Sequence, residues 1–244
     1  MTSYNINECI QPLGDSALVI RLGSEIHPST HQKVKNLSLL LEKNSFTGFI
    51  EAVPSYTTLT VYYNPIEVFQ SRTASNSKSP YKIVSEHVFH LLKNLRIEDI
   101  KKQRIVKIPV VYGGDFGPDL DYVANYNQLT REEVIHIHSA NEYLVYMIGF
   151  APGFPFMGGM DERIATPRKD SPRLAIHPGS VGIAGKQTGV YPLETPGGWQ
   201  IIGRTPLALF LPPSSPPTLL QAGDRIRFVP ISEKEFEEYK ELKS

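Results

Sequence analysis

The densest group of chemically useful residues in this chain is a short segment of sequence ETPGGW, residues 194–199, which is soon followed by Arg204. Glu194 is of the type that serves as a general acid or base, and the backbone N–H groups of Gly197 and Gly198 are suited to bind an oxyanion. Arg204 is suited to clamp a carboxylate or a phosphate. The alternative is a structural turn, in which the tryptophan packs into a core and the arginine pairs with an acid. Glycine pairs serve both purposes, so both interpretations stay open.

Two nearby segments add candidate groups. Residues 150–156, of sequence FAPGFPF, combine aromatic residues with proline, and aromatic side chains are enriched in the centre of protein interfaces. This segment indicates either a partner-binding surface or a rigid plug over one end of a barrel. His177, between Ile176 and Pro178, is a candidate acid–base group, although a single histidine in a loop is more often part of the polar surface.

Residues 179–188, GSVGIAGKQT, resemble a phosphate-binding loop but do not have its spacing. Gly179 and Gly185 are separated by five residues, and Gln187 stands where a serine or threonine would hold magnesium. Lys186 is then either an anion contact or a solvated lysine in a turn. The sequence therefore predicts no P-loop in this chain.

Two histidines, His136 and His138, form an HxH pair on a predicted helix. Residues two positions apart on a helix point to different faces, so we interpret them as ordinary surface or core histidines. The single cysteine, Cys9, excludes an intrachain disulfide and a thiolate-rich metal site, and it fits a reducing compartment. No metal site is expected.

The charge balance argues against two classes of partner. The formal net charge is +0, so the chain as a whole offers no long-range field for nucleic acid or for an anionic membrane. The first residues have neither a basic start nor an apolar run, and no segment approaches the length of a membrane span. We expect a soluble cytoplasmic protein.

The elements that must position these groups fall into two regions, residues 1–103 and 104–244, which we expect to be two domains. In the first region the pattern predicts strands and helices in alternation, with a further strand just beyond it: 17–22, 28–43, 49–53, 57–63, 81–95 and 104–111. The order βαββαβ is typical of a small split-βαβ (ferredoxin-like) sheet covered by two helices. The polar stretch 71–80 is predicted to be a flexible loop.

The second region is richer in glycine, proline and β-branched residues. Helices are predicted at 118–126 and 131–139, the latter from a capping box of Thr130 and Glu133, and at the tail from a box of Ser232 and Glu235. Short strands are predicted at 143–148, 180–184, 189–191, 200–203, 207–210 and 224–229. Frequent short strands with Gly/Pro turns favour a closed or nearly closed β-barrel, which gives an α+β fold for the whole chain.

The chain resembles one known family over nearly its whole length. The matching segments follow in order: 14–17 (GDSA), 109–120 (PVVYGGDFGPDL), 149–155 (GFAPGFP), 182–185 (GIAG), 187–192 (QTGVYP), 194–199 (ETPGGW) and 202–206 (IGRTP). They resemble the family of 5-oxoprolinase B subunits, also described as KipI-like or as allophanate hydrolase subunit 1.

This resemblance implies a small α+β N-terminal domain and a cyclophilin-like β-barrel C-terminal domain. It also implies two partners: a homologous C subunit, similar to allophanate hydrolase subunit 2, and a LamB/YcsF-like A subunit. Together with the B subunit these form an ATP-dependent 5-oxoprolinase. Related domains occur in the carboxyltransferase part of urea carboxylase, and one bacterial member is described as an inhibitor of a sporulation histidine kinase. The resemblance implies no settled catalytic residue for this subunit.

Two positions depart from the pattern of the family. His177-Pro178 stands where Pro-Ala is expected before Gly179, and Lys186 stands where a second glycine is usual after Gly185. Both departures lie in a candidate functional loop, which indicates a shifted preference for substrate or partner.

We therefore expect the B subunit of a 5-oxoprolinase, a lactam hydrolase that opens 5-oxo-L-proline to L-glutamate only in complex with the C and A subunits. ATP would bind in the complex, since this chain has no recognisable P-loop. One alternative is a KipI-like inhibitor that binds a sporulation histidine kinase and blocks its autophosphorylation. Another is the carboxyltransferase-like half of a urea or related amide carboxylase.

The residues expected to form the site are of three kinds. The expected acid–base groups are Glu194 and His177. The expected substrate or anion contacts are Arg204, Gly197, Gly198, Lys186, Gln187, Tyr191 and Thr195. The aromatic residues expected at a partner interface are Phe150, Phe154, Phe156 and Trp199.

Overall fold

The computed structural model describes residues 6–71, 78–95 and 104–241. The Cα positions divide the chain into two compact units, residues 1–101 and 102–244. Most of the predicted flexible loop at 71–80, and the end of the predicted tail helix, lie outside the described residues. Within those three ranges, no helix is both long and apolar enough to cross a membrane.

The described part of the first unit contains a four-stranded sheet and four helices. The elements are α1 (Ile6–Cys9), β1 (Ile10–Pro12), β2 (Ala17–Arg21), α2 (Pro28–Lys43), β3 (Phe49–Pro54), β4 (Thr58–Tyr63), α3 (Pro65–Gln70) and α4 (Pro80–Lys93). The strands run antiparallel in the order β1-β2-β4-β3. Alternate residues of β2 and β4, such as Ile20 and Val61, are fully buried against the apolar faces of α2 and α4.

The expected split-βαβ sheet is not completed in this unit. Its last strand, predicted at 104–111, forms part of the second unit, and the short β1 takes the place beside β2. The reason is a partner far along the chain. Residues 105–112 pair in parallel with residues 225–230, from Ile105 opposite Arg225 to Val110 opposite Pro230, a pairing that no local pattern reveals.

The second unit is built around a seven-stranded sheet. The unit has nine strands among its described residues, seven in this sheet and two in a small separate one: β5 (Ile105–Tyr112), β6 (Glu142–Ile148), β7 (Pro155–Gly158), β8 (Arg173–Ile176), β9 (Ser180–Ala184), β10 (Gln187–Val190), β11 (Thr195–Gly197), β12 (Gln200–Arg204) and β13 (Arg225–Pro230). Its helices are α5 (Leu120–Tyr126), α6 (Arg131–Ala140) and α7 (Glu233–Glu241), with 3₁₀ turns at Gly114–Phe116 and Glu162–Ile164. The capping boxes at Thr130 and Ser232 are both formed.

The large sheet has the order β10-β9-β12-β5-β13-β6-β7, and its edge strands β10 and β7 approach each other, so the sheet is nearly closed into a barrel. Strands β8 and β11 form a separate two-stranded sheet. The predicted strand at 207–210 is wrong: it makes one isolated bridge, from Phe210 to Thr218, because the chain around it is rich in proline, which cannot donate to a ladder.

The barrel core contains one hydrogen-bonded polar group of note. His138 is fully buried, with Nδ1 2.8 Å from the hydroxyl of Tyr112 and Nε2 2.9 Å from Oγ1 of Thr188. His136 is exposed, so the two histidines of the HxH pair lie on different faces of α6. Burial lowers the pKa of His138 to about 3, which keeps its ring neutral near neutral pH.

Candidate functional site

A cavity of about 360 Å³ opens beside the loop that follows β6. We call it the aromatic pocket, because most of its wall consists of aromatic rings, prolines and glycines. Its lining residues are Phe150, Phe154, Phe156, Arg168, Pro172, Tyr191, Pro196, Gly197, Gly198 and Trp199. Seven of the residues predicted from the sequence therefore meet around one cavity: the four aromatic residues proposed for an interface, Tyr191 and the glycine pair.

Phe154 is the centre of the aromatic wall. Its ring lies 5.2 to 5.9 Å from the rings of Phe150, Phe156, Tyr191 and Trp199, in edge-to-face arrangements. Such contacts add about 0.5–1.5 kcal/mol each to the stabilisation by burial. Phe154 is buried, whereas Phe156 and Trp199 are half-buried, so these three residues form the wall of the pocket.

Phe150 stands at the mouth of the pocket and differs from the other rings. It is 80% exposed, and its backbone has φ +67°, a conformation that non-glycine residues rarely adopt. Strained backbone of this kind clusters at binding and catalytic sites. Of the four predicted interface aromatics, only Phe150 is exposed enough to meet a partner while the rest of the pocket stays packed.

Gly197 is required by close packing inside the pocket. A Cβ at this position would lie 2.5 Å from the hydroxyl of Tyr191 and 2.7 Å from Cδ1 of Ile176. The following glycine, Gly198, accepts a hydrogen bond at its carbonyl from the backbone N–H of Lys169 at 2.7 Å. The glycine pair thus lets Tyr191 reach the wall and ties β11 to the loop after Thr166.

Tyr191 is a neutral hydrogen-bonding group at physiological pH. Burial raises the pKa of Tyr191 to about 12, although Arg168, the backbone N–H of Trp199 and Arg173 act in the opposite direction. The phenol can therefore donate or accept a hydrogen bond at the wall of the pocket.

Arg168 is the only charged side chain among the residues that line the aromatic pocket. It is exposed and makes no hydrogen bond or ion pair with any residue in the described ranges. Arg168 also borders a second cavity of about 360 Å³, lined by Tyr122, Pro167, Arg168, Lys169, Asp170, Ser171 and Gln200. In that cavity Gln200 is 2% exposed; its Nε2 donates to the carbonyl of Pro167 at 3.0 Å, and its Oε1 has no hydrogen-bond partner among the described residues.

The loop that carries Arg168 is held by Asp119, a residue that our sequence reasoning did not single out. Its buried carboxylate accepts two hydrogen bonds from Arg173, both at 2.8 Å, and one from the backbone N–H of Ile201 at 2.7 Å, with Lys169 at 3.3 Å. Burial alone would raise the pKa of Asp119, but these contacts outweigh it and lower the pKa. Only the position of Asp119 within the segment GGDFGPDL could have drawn attention to it.

A third cavity, of about 310 Å³, contains two of the predicted site residues. We call it the Arg204 pocket. Its lining combines basic side chains, prolines and small apolar residues: His177, Pro178, Gly179, Pro192, Arg204, Thr205, Pro206, Leu207, Ala208, Phe236 and Lys240. It shares no lining residue with the aromatic pocket, and the two lie toward opposite ends of β12, which spans about 13 Å.

The structure therefore divides the predicted site. Glu194 is exposed and lines none of these three cavities. It precedes Thr195, which pairs with Ile176 just before His177, so the backbones of Glu194 and His177 are neighbours at the end of the β8–β11 ladder. Their side chains make no hydrogen bond or ion pair with each other in the described structure, and a catalytic role for either stays a prediction.

The remaining predicted contacts lie elsewhere. Lys186 pairs with Glu162 at 2.8 Å, and both side chains are about 70% exposed. Gln187 begins β10 and is half-buried. Thr195 lies in β11, and its Oγ1 is buried without a hydrogen-bond partner among the described residues. None of these three residues lines the aromatic pocket or the Arg204 pocket.

Comparisons with known proteins identify the family of this chain. The family model described as "Carboxyltransferase domain, subdomain C and D" matches residues 8–220. A protein from Bacillus subtilis, named as the B subunit of 5-oxoprolinase, is 55% identical over 232 residues, covering 95% of this chain and 96% of that protein. The protein of the same name from Escherichia coli O157:H7 is 38% identical and covers 91% of this chain and 95% of its own length.

Solved structures show the same fold. The crystal structure of PH0987 from Pyrococcus horikoshii is 47% identical, covers 93% of this chain and 99% of that chain, and superposes with a TM-score of 0.54. The crystal structure of TTHA0988 is 33% identical with a TM-score of 0.74, and covers 88% of this chain but 40% of that one. The K. lactis urea amidolyase, at 20% identity and a TM-score of 0.70, supports the fold alone, and the nearly closed sheet is consistent with a cyclophilin-like carboxyltransferase fold. From the match along most of its length, we conclude that this chain belongs to the family of 5-oxoprolinase B subunits, within the family of the carboxyltransferase domain, subdomain C and D.

Proposed function

We propose that this chain is the B subunit of an ATP-dependent 5-oxoprolinase, and that its aromatic pocket binds 5-oxo-L-proline. The observation that carries the proposal is the 55% identity, over nearly the full length of both chains, to a protein named as the B subunit of 5-oxoprolinase. The aromatic pocket adds a concave, largely apolar site of a size that suits a small molecule, with a few polar groups at its wall.

The pocket matches the chemistry of a small lactam acid. The flat apolar faces of the five-membered ring would pack on the rings of Phe154 and Trp199, and the neutral hydroxyl of Tyr191 would serve one of the polar lactam atoms. Arg168 would pair with the substrate carboxylate at the mouth, since the described residues provide it with no other acid. Asp119 would act as a positioning residue, because it fixes the loop that carries Arg168.

Opening the lactam requires more than this pocket supplies. In the proposed reaction ATP phosphorylates the lactam oxygen and ADP leaves, after which one water adds to the activated carbon. The C–N bond then breaks to give γ-glutamyl phosphate, and a second water hydrolyses this acyl phosphate to L-glutamate and inorganic phosphate. The loop that resembles a phosphate loop joins β9 to β10 in a hairpin, whereas a P-loop leads from a strand into a helix and has a different glycine spacing, so this segment does not fit a nucleotide. We therefore assign the completion of the catalytic site to a complex with the C and A subunits.

The exposed ring of Phe150 supports such a complex. Phe150 lines the aromatic pocket and is 80% exposed. Aromatic side chains are enriched in the centre of protein interfaces. A partner such as the C subunit, seated on Phe150, would cover the substrate and exclude water from the reacting carbon.

The test is co-expression of this chain with candidate C and A subunits, followed by measurement of phosphate release from ATP with and without 5-oxoproline. We expect release that depends on both 5-oxoproline and this chain. Release that is unchanged when this chain is omitted would contradict the proposed function, and so would full lactam hydrolysis by the chain alone.

The pocket assignment is tested by Arg168→Gln, which removes the charge at the mouth. We expect the KM for 5-oxoproline to rise about 10- to 100-fold, because a charge-assisted hydrogen bond contributes about 1.5–3 kcal/mol. Arg163→Gln is the matched control, since Arg163 is exposed and pairs with the adjacent Asp161. Equal effects of the two substitutions would contradict a carboxylate contact at Arg168.

The two alternative functions stay predictions. A carboxyltransferase-like role draws on the description of the family and on 22% identity to the urea amidolyase of Lachancea kluyveri, of which the match covers 14%. It requires a biotin-bearing partner and carboxylation that depends on bicarbonate. The kinase-inhibitor alternative requires inhibition of autophosphorylation by the purified chain without any catalysis.

A further inference from the structure

We propose that the Arg204 pocket is a binding site for a phosphate group, separate from the aromatic pocket. The proposal concerns binding to this chain alone, so it does not depend on the lactam assignment of the aromatic pocket. Its basis is a set of basic side chains that line one cavity, which no carboxylate of the described residues lines.

Arg204 is held in place without an acidic partner. Its guanidinium carbon lies 4.8 Å from the ring centre of Phe116 and 5.5 Å from that of Phe236, and these two rings pack edge to face. Its Nε is buried without a hydrogen-bond partner, and no described residue forms an ion pair with it. Cation–π contacts offset only part of the cost of removing a charge from water, so this arginine is left with unused donor capacity.

Two further basic groups line the same cavity. Lys240 of α7 lies 4.7 Å from the ring centre of Phe236, on the same ring that holds Arg204. Its ammonium also pairs with Glu237 at 2.9 Å, but both of these side chains are at least half exposed, so the pair competes weakly with an incoming anion. His177 follows β8 at the rim of the cavity and would add a third donor.

The backbone around the cavity leaves recognition to side chains. Three lining residues, Pro178, Pro192 and Pro206, have no N–H to offer. The hydroxyl of Thr205 already accepts a hydrogen bond from the N–H of Leu207 at 3.2 Å, which leaves its proton for an anion. This is the opposite of a P-loop, in which backbone N–H groups surround the phosphate.

Gly179 shapes the floor of the cavity. It has φ +82°, and a Cβ here would lie 2.3 Å from the carbonyl oxygen of Thr205 and 3.5 Å from Cγ of Arg204. The backbone strands of His177–Gly179 and of Thr205 can therefore approach closely. The approach brings His177 and Arg204 to one cavity although the residues are far apart in sequence.

The charges favour phosphate over a simple carboxylate. Arginine offers a planar fork that matches phosphate oxygens, the lysine ammonium adds a point charge, and the histidine ring adds a hydrogen-bond donor. A phosphate near neutral pH carries between one and two negative charges and has enough oxygen acceptors to engage all three groups at once. The source would be either free phosphate or the phosphate of a nucleotide, which share this chemistry.

The test measures binding to the purified full chain by isothermal titration calorimetry, with inorganic phosphate, ADP and acetate as separate probes at matched ionic strength. We expect phosphate or ADP to bind and acetate to bind far more weakly. Tighter binding of ADP identifies a nucleotide as the source, and equal binding of both probes identifies the phosphate group alone. Acetate binding as strong as phosphate, or no binding of either phosphate probe, would overturn the proposal.

Two variants locate the site. Arg204→Gln should weaken phosphate binding about 10- to 100-fold. Lys240→Gln, on the exposed face of α7, should weaken phosphate binding several-fold without affecting folding. If the Arg204 variant unfolds, Lys240→Gln still tests whether phosphate binds in this pocket. Lys234→Gln is the matched control, since Lys234 lies on the same helix and is 87% exposed. Phosphate affinity that is the same in Lys240→Gln and in Lys234→Gln would contradict the proposal.

Discussion

The aromatic pocket and the Arg204 pocket lie toward the two ends of β12, yet they offer opposite chemistry. The aromatic pocket is walled by rings and glycines, with Arg168 as its one charged lining residue. The Arg204 pocket is walled by prolines and three basic side chains, and no described carboxylate lines it. The comparison shows that a continuous stretch of unusual sequence, here residues 194–206, can contribute to two separate cavities rather than one.

The cause lies in the geometry of a strand. Successive residues of a strand advance by about 3.3 Å. Trp199, just before β12, and Arg204, at its end, are five positions apart, so they are separated by more than the width of either ligand group that we propose. Loops from elsewhere in the chain then complete each end. The loop held by Asp119 completes the aromatic pocket, and His177–Gly179 together with α7 complete the Arg204 pocket.

The largest predicted effect concerns the stability of the second unit, which carries both pockets, and it arises from His138 in the barrel core. Its pKa is about 3 when folded and 6.5 in the unfolded reference, so the unfolded chain takes up the proton first as the pH falls. This contribution to stability is complete above pH 6.5 and is lost progressively toward pH 3, at about 1.4 kcal/mol per pH unit, which is about 5 kcal/mol over the whole range.

The measurement is urea unfolding of the wild type and of His138→Asn from pH 7 to pH 5. The only tryptophan, Trp199, lies in the second unit, so its fluorescence reports on the barrel. We expect the wild type to lose about 2 kcal/mol more than the variant over this range. The difference between the two removes the effect of titrating carboxylates, and equal slopes would contradict the assignment.

The next effect separates the two pockets. Asp119→Ala leaves Arg173 and the N–H of Ile201 without their acceptor. We expect the free energy of unfolding to fall by about 2–3 kcal/mol. This is at or below the usual range for a broken buried ion pair, because Arg173 is partly exposed. Substrate-dependent phosphate release by the complex should fall with it, because the loop that carries Arg168 loses its support. Phosphate binding to the Arg204 pocket should stay unchanged.

Asp121→Ala is the matched control for this substitution, since Asp121 is 56% exposed and pairs with Arg131 on the surface. It should change stability by less than about 1 kcal/mol. If Asp119→Ala weakened both pockets equally, the two sites would not be as independent as their separate linings indicate.

The smallest effect acts within the aromatic pocket. Gly197→Ala places a methyl group 2.5 Å from the hydroxyl of Tyr191, and overpacking of this kind costs about 1–3 kcal/mol. We expect a higher KM for 5-oxoproline with phosphate affinity unchanged. Gly149→Ala is the control, because its new Cβ would lie 3.8 Å from Phe156, an ordinary contact. A normal KM in Gly197→Ala would show that Tyr191 does not contact the substrate.

The sequence by itself determined the local elements and the family. Capping boxes at Thr130 and Ser232 placed the starts of α6 and α7, because both partners of a cap lie within four residues. The string of glycine, proline and aromatic motifs indicated the family that the comparisons confirm. It also singled out four aromatic residues for a partner interface and the glycine pair for substrate contacts, and the structure brings these residues to one cavity.

Only the tertiary structure decided which groups share a cavity. Asp119 meets Arg173 and Ile201 across 54 and 82 residues of sequence, and residues 105–112 find their parallel partner about 120 residues further on. Such contacts depend on how complete strands and loops pack, since each is stabilised only after the segments between its partners are ordered. No local spacing encodes which residues come to share a cavity. For this reason Gly197 and Arg204, seven positions apart, were expected in one site although they line two different cavities.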